Sequence, residues 1–393
     1  MTTPITFYII AGESSGDRLG AALMRDLSST YKGEVNFVGI GGSMMAEQGL
    51  KSIFPMDELS VMGVAEVIPK IRNLLRRIKL TTDNVIDTKP TALITIDSPD
   101  FCFRVANRVK RHDSTIPVIH YVAPSVWAWR PKRAAKMAKF VDHVLALLPF
   151  EPPYMHAEGM SCDFVGHPIT EEKQAGKNEV VNLRRELGIE QGAKLLTVLP
   201  GSRSGEVEKL GPIFLEVIQL LRAEHPGLKV VIPSVAARVD QLAAIFRAPD
   251  IVILDPRGVS PEVAEARKRA CFAASDVALA ASGTVSLELA AANTPMVIAY
   301  KMHCLTAFIK RRLVRVSSAT LVNILTETQE VPEFLLEECI VEKIFPAVKR
   351  LLEDSDLADK QRQVSQDAIQ LLSRDESETG SSAAASVLNF LEL

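Results

Sequence analysis

Thr197-Val198-Leu199-Pro200-Gly201-Ser202-Arg203-Ser204-Gly205-Glu206-Val207 decides how this chain folds. An apolar run, Leu195–Leu199, stops at a Pro-Gly break. Small hydroxyl residues, an arginine and a glycine follow before a helix-compatible segment opens near Glu206. A buried strand that turns into a helix N-terminus is a ready anion site, because unpaired backbone N–H groups and the helix dipole converge there. Arg203 adds a planar, bidentate donor suited to phosphate. The turn stands mid-chain, which predicts a second nucleotide-type half behind an earlier one.

On either side, short apolar runs alternate with longer helical patterns, the mark of parallel α/β sheets. Upstream, the candidate strands are Thr6–Ala11, Asn36–Ile40, Ala92–Ile96, Val118–Val122, His143–Ala146 and Asp163–Gly166. Downstream they are Leu195–Leu199, Lys229–Ile232, Ile251–Leu254, Val277–Ala280 and Met296–Tyr300. The polar stretch Thr170–Gly192 lies between the two groups. The pattern predicts an α/β protein of two doubly wound Rossmann-like domains facing a central cleft, over residues 1–170 and 171–345. The tail over 346–393 reads as helical, and in a fold of this kind its last helix is expected to return to the N-terminal domain. Ligands of such sheets sit at the carboxyl ends of strands, so the loops there carry the functional candidates.

At 393 residues, 47% hydrophobic and 24% charged, the composition is that of a globular protein with room for two cores. A net charge of −3 supplies no global field to recruit nucleic acid or a membrane. Five cysteines without a CxxC pair argue against a zinc site or a disulfide framework and predict a reducing, cytoplasmic setting. Neither a signal peptide nor a spanning helix is expected, since no apolar run approaches ~18 residues.

Gly12-Glu13-Ser14-Ser15-Gly16-Asp17 follows the first strand and opens a helix. Its glycines do not match GxGxxG, and Glu13 and Asp17 would repel a pyrophosphate. It is either a serine-capped turn or a sugar-facing one, with Glu13, Ser14, Ser15 and Asp17 bonding substrate hydroxyls and Gly16 allowing close approach. Asp97-Ser98-Pro99-Asp100 leaves the strand Ala92–Ile96 and reads equally as turn chemistry or as a general-base site. Ser125, Trp127 and Trp129 precede Arg130, Lys132, Arg133, Lys136 and Lys139. Aromatics beside cations can stack a base, or hold a sugar ring and a phosphate; nucleic acid is the weaker option in a chain with an acidic balance. Ser282-Gly283-Thr284, with Glu288 one turn on, suits a phosphate and a ribose diol.

Between Val61 and Leu80, Val64, Val67, Ile68, Ile71, Leu74 and Leu75 form a stripe of period 3.6 among Lys70, Arg72, Arg76, Arg77 and Lys79. Such stripes usually pack into a core. The wholly basic polar side instead predicts a helix over about 69–80 that lies on anionic lipid, with 310–315 as a second basic contact.

Seven motifs occur in order: Gly12–Asp17, Asp97–Phe101, Ala123–Arg130, Leu147–Glu151, Phe164–Pro168, Leu199–Glu206 and Ser282–Glu288. Together they resemble the lipid A disaccharide synthases, inverting glycosyltransferases of the two-Rossmann (GT-B) kind, over about residues 5–325. The resemblance implies transfer of 2,3-diacylglucosamine from UDP-2,3-diacylglucosamine to 2,3-diacylglucosamine 1-phosphate, giving a β-1,6 disaccharide and UDP without a metal or other cofactor. It assigns the base to Asp100 and leaving-group neutralisation to Arg203. Glu288 would hold the ribose, with Ser202, Ser282, Gly283, Thr284 and Asn323 near the UDP. It also implies a peripheral enzyme on the cytoplasmic face of the inner membrane, touching anionic lipid, and a homodimer or chains that swap their C-terminal segments. Ser98 stands where the family often has Ala, and Ser204 where some members have His. Two other readings use the same motifs: a UDP-N-acetylglucosamine 2-epimerase-like enzyme and a non-catalytic nucleotide-sugar sensor.

Overall fold

The structure, a computed structural model, describes residues 4–59, 64–128, 132–190, 192–248, 250–301, 318–374 and 382–393; over 64–71 it describes the backbone alone. Trp129, Arg130 and the basic stretch 310–315 lie outside it, as do the side chains of Val64, Val67, Ile68 and Ile71. The chain divides into two compact units. One is Met1–Pro168 with Leu372–Leu393, the other Ile169–Leu371.

The first unit is a parallel sheet of β1 (Ile5–Ala11), β2 (Val35–Ile40), β3 (Lys51–Ser52), β4 (Ala92–Ile96), β5 (Val118–Tyr121), β6 (His143–Ala146) and β7 (Ser161–Phe164). Their order is β3-β2-β1-β4-β5-β6-β7. The central strands β1 and β4 are almost wholly apolar because both faces are covered. Tyr8, Ile10, Leu93 and Val144 point to one core, with Ile78, Val85, Val105 and Val109 from helices. Phe7, Ile9, Ile94 and Leu145 point to the other, with Leu23, Met24, Leu27, Val387 and Leu388. The second unit holds β8 (Leu195–Leu199), β9 (Lys229–Pro233), β10 (Ile251–Leu254), β11 (Val277–Ala281), β12 (Met296–Tyr300) and β13 (Glu333–Leu335). The order there is β10-β9-β8-β11-β12-β13. The helix Ser204–Glu224 covers one face of this sheet through Val207, Leu210, Phe214 and Ile218.

The segment beyond Phe345 does not travel as one piece. Val341–Glu353 and nearly all of Ser355–Leu372 stay with the second unit. There the Gln361 amide clamps Met296, accepting from its N–H at 2.5 Å and donating to its carbonyl at 3.1 Å. The last helix, Ala383–Phe390, belongs to the first unit. Ser386 donates to Asp163 at 2.6 Å and sits 2.8 Å from His143 Nε2, while Phe390 stacks on the His143 ring. The basic helix also differs from its expected span, running from Val64 to Thr88. Polar Thr81 and Thr82 do not interrupt it, and their hydroxyls donate back to the carbonyls of Arg77 and Ile78.

Candidate functional site

In the second unit the chain runs outward from β8 to β10, then crosses back to β11 beside β8. The strand order therefore reverses between β8 and β11, the point at which open α/β sheets hold ligands. The two turns that the sequence marks as anion sites leave these neighbouring strands, since Leu199 pairs with Ala280 in register. A pocket of about 720 Å³ opens there, lined by Gly201, Ser202, Arg203, Ser282, Gly283, Thr284 and Glu288. Pro233–Ala236 and Leu254–Pro256 form more of its wall. Gly201 is required at its place: φ is +118°, and a Cβ would lie 2.5 Å from the Glu206 side chain. Arg203 is the N-cap of the Ser204–Glu224 helix, two-thirds exposed, with Nη1 3.4 Å from Glu206 Oε1.

Four carboxylates line the pocket, Glu206, Asp255, Glu265 and Glu288, with three cations, Arg203, Arg267 and Lys268. Asp255 is also neutralised by Arg257 at 2.7 Å. Lys268 bridges Glu265 and Glu288 at 2.9 Å each. Burial alone would lower its pKa, but the two carboxylates outweigh burial and raise it, so it stays charged. Each pocket carboxylate thus faces a cation, with Lys268 shared by two of them, while Arg267 is itself held by Glu186. Nothing in the sequence singles out Lys268 from Arg267 and Arg269 on either side of it. A histidine–carboxylate trio, Glu224, His225 and Glu353, gathers at the other end of the Ser204–Glu224 helix, about 30 Å from Arg203 at 1.5 Å per residue. Lys349 already supplies a cation to Glu224 there.

The first unit has its own reversal, between β1 and β4. The turn after β1 and the turn after β4 touch: a Cβ on Gly12 would lie 2.4 Å from Ser98 Oγ. Asp97 and Ser98 have φ of 47° and 43°, and Val122, just past the end of β5 next door, has φ 79°. A left-handed β-branched residue is a true outlier, and strain of about 1–3 kcal/mol per residue concentrates at functional sites. Asp97 is half-buried at the strand end, while Asp100 is exposed in the first turn of the helix Pro99–His112. Burial raises the Asp97 carboxyl above the usual aspartate range, against the Ser98 N–H and the Arg133 guanidinium. Arg133 also stacks over Phe103.

Other expected residues take different places. Glu13 is the N-cap of the helix Ser14–Thr30 without a side-chain cap bond, and Ser14 and Ser15 are exposed. Gly16 is buried against Ala11 and Ile96, a helix-to-strand contact rather than a ligand approach. Asp17 is not sugar-facing: it is buried and accepts from the N–H groups of Gly42, Met44 and Met45 at 2.8, 3.0 and 3.1 Å. Asn323 is also buried. Its amide donates to the Val331 carbonyl and Glu333 and accepts from the Val331 N–H, which fastens the approach to β13. Ser125 is exposed, and Trp127 donates to Glu151, a buried carboxylate that the motif Leu147–Glu151 contains without revealing its task. Leu74 packs against the first core, and Leu75 is 43% exposed.

Two Rossmann-like units, each reversing strand order where its marked turns converge, give this protein GT-B architecture. The UDP-N-acetylglucosamine 2-epimerase from Neisseria meningitidis, solved bound to UDP-N-acetylglucosamine, is similar at a TM-score of 0.62 over 94% of this chain and 99% of that one. At 12% identity the likeness is one of fold. The lipid-A-disaccharide synthetase family model matches residues 7–387, and the chain belongs to that family. It is 55% identical over 339 residues to the lipid-A-disaccharide synthase of Ruegeria pomeroyi, covering 86% of this chain and 84% of that one. It is 45% identical over 389 residues to that of Rhodospirillum centenum, covering 99% and 95%. The chain is therefore a glycosyltransferase rather than an epimerase.

Proposed function

We propose that the chain joins a 2,3-diacylglucosamine unit from UDP-2,3-diacylglucosamine to the 6-hydroxyl of 2,3-diacylglucosamine 1-phosphate, with release of UDP. The family match over residues 7–387 carries the reaction. The pocket at the β8/β11 reversal supports the donor half: Ser202 and Ser282–Thr284 meet the diphosphate, and Glu288 accepts from the ribose diol. Arg203 offsets the charge that develops on the leaving diphosphate, so no metal or other cofactor enters the scheme.

The base is Asp97 rather than Asp100. A half-buried carboxylate with a raised pKa takes a hydroxyl proton better than an exposed one, and the strained backbone at the strand end fixes its aim. It would remove the 6-hydroxyl proton as that oxygen attacks the anomeric carbon. Leu75, set among exposed Arg72, Arg76 and Lys79 on the helix Val64–Thr88, supports docking on anionic lipid from which acylated substrates are drawn. No helix among the described residues is long and apolar enough to cross a membrane.

The test is mass-spectrometric detection of the disaccharide 1-phosphate after incubation of purified protein with both lipids. Its formation supports the reading, and turnover of UDP-N-acetylglucosamine without an acceptor would replace it with the epimerase reading.

A further inference from the structure

Lys268 stands on the helix Pro261–Ala274, and its ammonium lies 2.9 Å from Glu288 Oε2. It lies equally close to Glu265 Oε2, and all three residues line the pocket at the β8/β11 reversal. The Lys268 and Glu288 side chains are each 30% exposed, so the pair is partly shielded from water and geometrically held. Glu265 fixes the ammonium from the other side, and a carboxylate with one oxygen so tethered loses most of its rotamer freedom. Glu288 sits four residues after Thr284, one helical turn from the proposed diphosphate turn. Its own charge would oppose a diphosphate there, and Lys268 offsets part of it.

We infer that Lys268 is a positioning residue for the donor nucleotide. It holds Glu288 Oε2, leaves Oε1 as the acceptor for the ribose hydroxyls, and so sets the preference of this pocket for a ribonucleotide over a 2′-deoxyribonucleotide. The inference rests on the proposal that Glu288 meets the ribose. A Lys–Glu pair that only stabilised the fold would shift the melting temperature and leave this preference untouched.

The experiment is calorimetric binding of UDP and 2′-deoxy-UDP to the full chain and to Glu288→Gln, Lys268→Met, Lys268→Gln and Lys268→Arg. A hydrogen bond to a charged group predicts that the wild type favours UDP by about 10-fold or more. Glu288→Gln should bring the ratio close to 1. Lys268→Met and Lys268→Gln should each lower it at least 3-fold, and Lys268→Arg should restore most of it. A collapsed ratio in Glu288→Gln with an unchanged ratio in both neutral Lys268 variants overturns the inference alone. An unchanged ratio in Glu288→Gln overturns the ribose assignment beneath it.

Discussion

Trp127 donates its indole N–H to Glu151 Oε1 at 3.2 Å, and Glu151 is 3% exposed. The other carboxylate oxygen accepts from the Leu148 N–H at 3.1 Å, and Phe150 meets the indole edge-on. Trp127 and the motif Leu147–Glu151 therefore meet in the loops that follow neighbouring strands β5 and β6.

Burial pushes the Glu151 carboxyl up to about 7. Its folded-state pKa lies above the unfolded value, so the native state binds the extra proton and loses stability as pH rises through about 4.5 to 7. Buried His120 and His167, lowered by burial to about 3 and about 4, act in the opposite sense and cost stability as pH falls below about 6.5. Glu151→Gln should gain on the wild type by roughly 2 kcal/mol between pH 5 and pH 8 in denaturant melts. A difference independent of pH would mean that Glu151 does not titrate in this window.

Asp97→Asn should lower kcat by about 100-fold or more, within the range for loss of a general base. Asp100→Asn should retain most of the wild-type turnover. The reverse outcome would return the base to Asp100.

Leu74 and Leu75 are adjacent in sequence and separate in role. Leu74→Ser should lower the melting temperature, since Leu74 packs on the first core. Leu75→Ser should leave melting unchanged and reduce flotation with vesicles containing anionic lipid. Undiminished flotation would remove Leu75 from the docking surface.

Asn323→Ala should destabilise the second unit by about 2–3 kcal/mol, because it strands the Val331 N–H and part of Glu333. UDP affinity measured well below the melting temperature should change less than 3-fold. A selective loss of UDP affinity would restore Asn323 to the donor site.

Much of the architecture was legible. Strands buried on both faces, such as Ala92–Ile96 and Leu195–Leu199, are uninterrupted apolar runs, and Pro-Gly and Ser-Gly-Thr mark the turns that leave them. The edge strands β3 and β13 were not, because Lys51–Ser52 is exposed and polar, and Glu333–Leu335 is short and half-buried. At the site, residue types marked loops that leave neighbouring strands, but not where each side chain within them lies. Asp97 and Asp100 are indistinguishable by spacing, and only the left-handed backbone and burial of Asp97 separate them. Asp17 and Asn323 looked like ligand contacts because a buried polar side chain serving the backbone has the same composition as one serving a substrate. Lys268 and Glu151 were hidden because the partners that give them a place at these turns, Glu288 and Trp127, are remote in sequence.

UDP release by the purified protein, with and without 2,3-diacylglucosamine 1-phosphate, tests the central claim most directly. The account predicts release from UDP-2,3-diacylglucosamine that depends on the acceptor and falls by about 100-fold or more in Asp97→Asn. Release that ignores the acceptor, or none with both lipids present, would contradict it.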